Sequence, residues 1–419
     1  MSDTIRTDTP PPAEQPAAPP EGEVTSWLRR AVVATLVVAL GIWVSLPTLA
    51  IIVALVFMIF MHELGHYVTA KAAGMKVTEF FLGFGPRLWS FRRGETEYGI
   101  KAIPAGAYVR IIGMSNLEEV DPAEESRTYR QKPYWRRMSV AVAGSTMHFL
   151  MAIVLFFVVV SVIGSPDPTS SRWTVAAITD DSAADAAGLQ LGDRILSIEG
   201  NRFDTFEDMS AYLRDNPGDD VAMMVERDGR EIRLTTTLGT TNDKGEAVGF
   251  LGVGPEFPNV RVDPLTGVVD SVQATGETIW LSIKGLGAFF SPDGLSGYVE
   301  TLTGSGPLPE PGEMEEEGRI ISVVGAVQIA SQSADIAGAL FFLFAINVFI
   351  GVFNLVPLLP FDGGHVAIAT YERIRSRKGK RYFADVGKLM PVTYAVVALL
   401  AFVFVTSVYL DIADPISLQ

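Results

Sequence analysis

"IFMHELGHYVTAKAAGM", residues Ile59–Met75, places two histidines and a glutamate at the end of a long apolar segment. No charged residue occurs between Ala31 and Met61. Further apolar runs lie near residues 138–163, 336–360 and 391–410. Because a bilayer core takes about 20 apolar residues per helix, these runs predict a polytopic α-helical membrane protein with the lipid bilayer as a partner.

The composition excludes several classes of protein. The chain has 419 residues, enough for two or three domains. It contains no cysteine, which excludes disulfides, thiolate zinc sites and cysteine nucleophiles. The net charge of -15 argues against a nucleic-acid partner. Residues 1–26 are rich in Pro, Ala and Glu and are predicted to be a disordered tail, not a signal peptide.

The distribution of basic residues predicts which side of the membrane each segment faces. Lys and Arg are enriched on cytoplasmic flanks of membrane spans. Residues 71–137 and 372–390 are basic, whereas residues 164–334 are acidic. We therefore expect the two basic segments in the cytoplasm and the acidic segment outside, in a multi-pass protein of the plasma or inner membrane.

The first apolar run is longer than one span at 1.5 Å per residue. We expect a transmembrane hairpin over residues 27–73, with arms near 28–46 and 48–70 that meet at Pro47. This arrangement gives five spans. A single long or tilted span is the alternative.

The histidines of the opening stretch have the spacing of a metal site. His62 and His66 are four residues apart, so both imidazoles project from one face of a helix, with Glu63 beside them. HExxH is the zinc metalloprotease pattern, in which the glutamate is the general base. Two histidines satisfied inside a helix bundle are the plain alternative. Because ionisable groups inside a span are costly, we favour a Zn²⁺ site.

A catalytic zinc usually takes three protein ligands. Without cysteine, the third ligand must be His, Asp or Glu, and the remaining histidines are His148 and His365. The membrane-embedded carboxylate is Asp362, in "FNLVPLLPFDGGHV" at residues 353–366. Its prolines break the helix, and its two glycines let the backbone turn closely. By the predicted topology this segment ends on the same side as HELGH.

These motifs carry a family resemblance. HExxH and NxxPxxPxDGG on separate spans resemble the site-2 protease family of intramembrane zinc metalloproteases, in its bacterial form with a PDZ domain. The resemblance extends from about Val53 onward. It implies that Asp362 is the third zinc ligand and that Asn354 positions substrate or stabilises the oxyanion. Glu63 is then the general base.

The chain departs from the family pattern in three places. "PAGAY" replaces the usual Gly-Gly pair at Gly106–Ala107, and Phe361 stands where Leu is usual. His148 stands where the family commonly has Asn, either as a hydrogen-bonding substitute or as a neutral packed histidine. For His365, a hydrogen bond near the site and a structural role are both open.

Two segments outside the spans have their own patterns. Residues 74–137 are predicted to form a cytoplasmic, membrane-associated β loop, a hairpin with a third strand. Its free edge would hold an unwound substrate by strand addition, or the loop is only a structural flap. "AGLQLGDRILSIEG" at 187–200 resembles a PDZ domain, expected over residues 170–260. "GFLGVGP" at 249–255 is its candidate peptide-binding loop, and the domain either binds a peptide or C-terminus or acts as a steric filter.

The remaining boundaries follow from apolar and acidic patterning. In chain order, we expect a transmembrane helix at 138–163, an amphipathic membrane-surface helix at 264–292, an acidic linker at 293–334, a transmembrane segment with the second motif at 335–371 and a C-terminal transmembrane helix at 391–411.

The resemblance implies an enzyme that cleaves transmembrane segments of single-span proteins already shortened by another protease. Anti-sigma factors in regulated intramembrane proteolysis are the usual bacterial example. One alternative is a membrane-anchored zinc protease that acts on aqueous or signal-peptide substrates. A non-catalytic scaffold that presents a PDZ module is a second, and the intact His62, Glu63, His66 and Asp362 set argues against it.

Overall fold

The computed structural model describes residues 45–114, 117–242, 245–303, 336–376 and 380–413. Within these residues, four helices are long and apolar enough to cross a membrane. These candidate spans are Leu46–Ala72, Ala143–Ile163, Ile336–Asn354 and Val386–Tyr409. The predicted first arm of the hairpin lies almost wholly outside the described residues, so the choice between four and five spans stays a prediction.

Helix α1, Leu46–Ala72, carries the HELGH motif. Ser45 caps its first turn by accepting a hydrogen bond from the Thr48 backbone N–H, and Pro47 occupies a first-turn position that needs no N–H partner. The helix continues past the motif and ends before Gly74, whose φ of 69° suits glycine. Pro47 therefore begins the helix that carries the histidines.

The loop after α1 folds into a small antiparallel sheet of two long, bent strands. Strand β1 spans Val77–Arg93 and β2 spans Thr96–Ile111. Phe80 on β1 is paired with both Tyr98 and Val109, because β2 bends back along the other side of β1. The sheet therefore has four strand segments, in the order 107–111, 77–82, 96–101 and 87–93. This is one more than the predicted hairpin with a third strand.

Two helices follow the sheet. Helix α2 is Tyr134–Ala141, and α3 is Ala143–Phe157, which continues as a π-helical segment, Val158–Ile163. The predicted span at 138–163 is thus divided near Val142, and its apolar part begins at Ala143. Helix α3 packs against α1, which brings the second span beside the histidines.

A mixed domain follows the second span and has its own core. In chain order its elements are β3 Ser165–Pro166, β4 Thr174–Ile178, α4 Ala183–Ala187, β5 Arg194–Ile198, α5 Phe206–Arg214, β6 Asp220–Arg227, β7 Arg230–Thr237, β8 Val253–Glu256 and β9 Asn259–Val260. The strands pair as β5-β6-β7, β4-β8 and β3-β9. Trp173, Ile198, Met209 and Met223 lie in one buried cluster. We call residues 165–260 the PDZ-like domain.

Helix α6, Pro264–Phe289, spans most of the segment predicted as a membrane-surface helix. Its buried residues are the small ones Gly267, Ser271 and Thr275, which recur every four positions. Ala274, Ile279 and Leu286 pack into a cluster with residues of the second and third spans. The helix therefore packs against the candidate spans over several turns, and its position at the membrane surface stays a prediction.

The last elements bring the second motif into place. They are α7 Pro292–Thr303, α8 Ile336–Asn354, α9 Asp362–Arg375 and α10 Met390–Ala413. Helix α7 occupies the first part of the predicted acidic linker, whose remainder lies outside the described residues. The predicted segment 335–371 is two helices, because the chain turns between Asn354 and Asp362.

Candidate metal centre

Helix α1 presents both histidines of the motif toward one point. The Nε2 atoms of His62 and His66 are 3.2 Å apart, and both residues are buried. His66 Nδ1 lies 2.8 Å from the carbonyl oxygen of Val140 at the end of α2. That oxygen can only accept, so Nδ1 carries the proton and Nε2 offers a lone pair.

The turn between α8 and α9 brings Asp362 to the histidines. It contains Pro357 and Pro360, and Asp362 is the first residue of α9. A side chain at Gly363 would place its Cβ 2.2 Å from the carbonyl oxygen of Leu355. Glycine is therefore required here for the first turn of α9 to pack against the preceding loop, which fixes where Asp362 points.

Three potential ligand atoms converge. Asp362 Oδ2 lies 3.1 Å from His66 Nε2 and 3.3 Å from His62 Nε2. With the 3.2 Å separation of the two nitrogens, this makes a nearly equilateral triangle. A point about 2 Å from all three atoms exists beside it, which is the usual Zn–N and Zn–O distance. In the part of the chain that the structure describes, this is the one such group of His, Asp or Glu side chains.

The other two predicted site residues, Glu63 and Asn354, are not part of the triangle. Glu63 lies on α1 beside the triangle, and its carboxyl group faces the backbone of Val109 on β2. It is close enough to interact electrostatically with His62, His66 and Asp362. Asn354 is the last residue of α8 and is half-buried, eight positions before Asp362. The structure thus places Glu63 at the centre and Asn354 at the start of the turn that leads to it.

Known proteins are similar to this chain over most of its length. The sequence profile of peptidase family M50 matches residues 50–400. The chain belongs to peptidase family M50. Zinc metalloprotease Rip1 of Mycolicibacterium smegmatis is 35% identical over 417 residues, covering 90% of this chain and 99% of that protein. A putative zinc metalloprotease of Agrobacterium fabrum is 30% identical over 353 residues, covering 78% and 86%.

The family assignment confirms the predicted site-2 protease resemblance, the class of enzyme and its metal. This M50 peptidase is a zinc metalloendopeptidase, and Zn²⁺ is its cofactor. Zinc metalloprotease Rip1 of Mycobacterium tuberculosis is also 35% identical, over 405 residues that cover 87% of this chain and 96% of that protein. Among solved structures, the PDZ domain of an SdrC-like protein from Listeria monocytogenes matches 21% of this chain and 92% of its own, with 23% identity and a TM-score of 0.19.

In this M50 peptidase, glycines let the second span approach the metal triangle. A Cβ at Gly144 on α3 would lie 2.3 Å from the ring of His62. A Cβ at Gly65 on α1 would lie 2.8 Å from the Ala143 carbonyl oxygen. The imidazole of His62 therefore rests directly on the backbone of α3. A larger residue at Gly144 would displace this ring, and one at Gly65 would push α3 away from α1.

The sequence did not reveal the partner of His148. On α3, this buried histidine places Nδ1 2.9 Å from Oδ1 of Asn347, which is fully buried in α8. Its ring centre lies 5.1 Å from that of His62. The sequence offered one indication of this pair: Asn347 is a polar residue within the apolar run 336–354. His365 lies in edge-to-face contact with Tyr129, with 6.1 Å between the ring centres.

A buried ion pair anchors the helix that begins with Asp362. Arg137 on α2 donates a 2.6 Å hydrogen bond to Oε2 of Glu372 on α9, and both side chains are buried. Oε1 of Glu372 accepts from the backbone N–H of Ala384. This pair ties α9 to α2, whose Val140 carbonyl orients His66.

Proposed function

We propose that His62, His66 and Asp362 hold the catalytic zinc and that Glu63 is the general base. The convergence of Asp362 Oδ2 with both Nε2 atoms within 3.3 Å carries this assignment. With both histidines protonated on Nδ1, all three atoms are acceptors, so their close approach favours a bound cation. Zinc, when bound, supplies Lewis-acid activation of water and of the scissile carbonyl.

The chain's own residues then move the proton. Glu63 accepts the proton of the attacking water and passes it to the leaving amine. Asn354 begins the turn before Asp362, and its amide is suited to position the substrate or to donate a hydrogen bond to the oxyanion. The contact of α1 with the sheet keeps Glu63 beside Val109.

The substrates proposed are transmembrane segments of single-span proteins, anti-sigma factors among them, after a first cut outside the membrane. Supporting this choice, the triangle is built from a helix that is a candidate membrane span and from the turn that directly follows another candidate span. The basic residues around Arg127–Arg137 favour a metal centre near the cytoplasmic side. The PDZ-like domain then lies outside the cell.

Substrate helices must unwind, because an α-helix hides its peptide bonds in i→i−4 hydrogen bonds. The β2 segment 107–111 is an outer edge of the described sheet, and its Val109 backbone faces Glu63. We propose that the unwound segment pairs with this edge. Its peptide bonds would then pass directly over the catalytic glutamate.

The PDZ-like domain has a cavity beside its candidate peptide-binding loop, residues 249–255. A cavity of about 450 Å³ lies between α5 and the segment 248–253, and it is lined by Met209, Leu213, Phe250 and Leu251 among others. We propose that it takes the new C-terminus that the first protease leaves. A role as a steric filter is the competing proposal, since a bulky outer domain on the substrate would collide with it.

Proteoliposomes test this function. The chain and a single-span substrate without its outer domain are reconstituted together, and the products are mapped by mass spectrometry. We expect cleavage within the apolar segment by the wild-type chain, and binding without cleavage by Glu63→Gln. Cleavage confined to aqueous loops would support the membrane-anchored alternative. Cleavage by Glu63→Gln at the wild-type rate would rule out the proposed base.

A further inference from the structure

Of the two proposed histidine ligands, only His66 has a hydrogen-bond partner for its Nδ1 atom among the described residues. His66 Nδ1 bonds to the Val140 carbonyl oxygen, whereas His62 Nδ1 is buried and has no hydrogen-bond partner among the described residues. A histidine that ligates through Nε2 carries its proton on Nδ1, and such N–H groups almost always find an acceptor. The buried N–H of His62 therefore needs one.

The hydrogen bonds of Asn347 decide which nitrogen of His148 is protonated. Asn347 Nδ2 donates to the Leu343 carbonyl oxygen at 2.9 Å, which fixes the orientation of the amide. Its Oδ1 then faces His148 Nδ1 at 2.9 Å and can only accept. His148 therefore carries its proton on Nδ1, and its Nε2 is left with a free lone pair.

The two rings are close enough for such a bond, although the structure does not contain it, since His62 Nδ1 has no partner among the described residues. The ring centres of His62 and His148 are 5.1 Å apart, at an interplanar angle of 49°. Two imidazoles joined by a linear N–H···N bond of about 3.0 Å have centres about 5.3 Å apart. Gly144 and His148 are one helical turn apart on α3, so the same face of the helix supports the His62 ring and offers the acceptor.

We propose that His148 Nε2 accepts a hydrogen bond from His62 Nδ1–H when zinc is bound, which makes His148 and Asn347 positioning residues for the metal. A chain of hydrogen bonds then runs from the Leu343 carbonyl through Asn347 and His148 to His62. It orients one ligand, as the Val140 carbonyl orients the other. This inference rests on the proposed role of His62 as a ligand.

Nitrogen NMR tests the tautomers directly. The chain has only 4 histidines, so ¹⁵N-histidine labelling of the zinc-loaded protein in lipid gives few signals. Difference spectra with His148→Gln and His365→Gln assign them. We expect His148 in the Nδ1–H form, with an Nε2 signal shifted by accepting a hydrogen bond. An Nε2–H tautomer of His148, or an unshifted Nε2, would overturn the proposal.

Zinc affinity, measured by chelator competition, separates positioning from packing. Glutamine places its amide near the Nε2 position of histidine, whereas asparagine places it near Nδ1. We expect His148→Gln to bind zinc within about threefold of wild type, and His148→Asn to bind about 10- to 100-fold more weakly, the range typical of lost outer-shell partners. Equal affinities of the two variants would reduce His148 to a packing role and overturn the proposal.

Two further variants serve as controls. Ser145→Ala alters a buried polar residue on the same helix that has no hydrogen-bond partner for its Oγ among the described residues, and it should leave zinc affinity unchanged. His62→Ala tests the ligand assignment itself. If His62→Ala keeps full zinc affinity, the proposed metal site fails. If it loses zinc while His148→Asn does not, the metal site stands and only the role of His148 fails.

Discussion

Asp362 Oδ2 lies 3.1 Å from His66 Nε2, although 296 positions of sequence separate the two residues. The contact joins the end of the third span to the first and closes the metal triangle. Its precision depends on close backbone packing, because Gly144 supports His62 and Gly363 sets the turn at Asp362. The catalytic geometry should therefore be sensitive to single methyl groups placed at these glycines.

Gly144→Ala is expected to weaken zinc binding by at least about tenfold. The new Cβ would lie 2.3 Å from the His62 ring, so the imidazole must move, and overpacking of this kind costs about 1–3 kcal/mol of stability. Chelator competition and thermal unfolding measure the two effects. Gly276→Ala is the control, since Gly276 is an exposed residue of α6 and its Cβ would meet nothing within 4 Å. Unchanged zinc affinity in Gly144→Ala would contradict the geometry of the centre.

Gly363→Ala should abolish proteolysis. Its Cβ would lie 2.2 Å from the Leu355 carbonyl oxygen and 2.3 Å from that of Val356, and backbone atoms cannot move aside as a flexible side chain can. The turn must open, which displaces Asp362. Bound zinc is measured by elemental analysis of the purified protein. The matched control is Gly285→Ala on α6, where the added methyl group meets no atom within 4 Å.

Removing one residue of the Arg137–Glu372 ion pair should destabilise the fold more than replacing both residues. Arg137→Met leaves a buried carboxylate without its partner, and breaking a buried pair costs about 3–5 kcal/mol. The double variant with Glu372→Leu should recover part of this loss, because no buried charge is left, although the Ala384 N–H loses an acceptor. The unfolding free energies of the wild type, the two single variants and the double variant form a double-mutant cycle. Additive losses would show that the two residues are not coupled.

The PDZ-like domain should lose stability in acid through Asp193. Burial raises the pKa of Asp193, but hydrogen bonds from Arg227 and from the Gln190 backbone N–H outweigh it, so its pKa lies below the ordinary value. The stabilisation is therefore present above pH of about 4, the unfolded value, and is lost as the pH falls through the lower folded pKa. Hydrogen exchange of β5 and β6, corrected for intrinsic rates, should show weaker protection at pH 3 than at pH 6. In the Asp193→Asn variant, the protection of these strands should differ less between pH 3 and pH 6.

Sequence patterning anticipated the metal centre because its chemistry is concentrated in two short motifs. HExxH places two histidines on one helix face, and the carboxylate of the second motif is the candidate for a third ligand. The four candidate spans of the described residues follow from apolar length and composition. The family assignment confirmed the enzyme class and Zn²⁺.

Other features depend on contacts that spacing does not encode. Asn347 pairs with His148 across two helices, and neither residue has a periodic relation to HExxH. Arg137 is one of the basic residues from which we predicted a cytoplasmic segment. The sequence therefore offered no reason to expect that it is buried against Glu372. Helix α6 also packs against the second and third candidate spans, a contact that apolar periodicity does not reveal because it does not distinguish lipid from neighbouring protein.

The zinc content of Asp362→Ala, compared with that of Glu63→Gln, tests the central claim most directly. Both proteins are purified in the same detergent and analysed for metal at equal concentration, with monodispersity as the check on folding. We predict that Glu63→Gln retains about one zinc per chain and is inactive, whereas Asp362→Ala loses zinc. Full zinc occupancy in a folded Asp362→Ala protein would contradict the account, because the carboxylate from the distant turn would then not be a ligand.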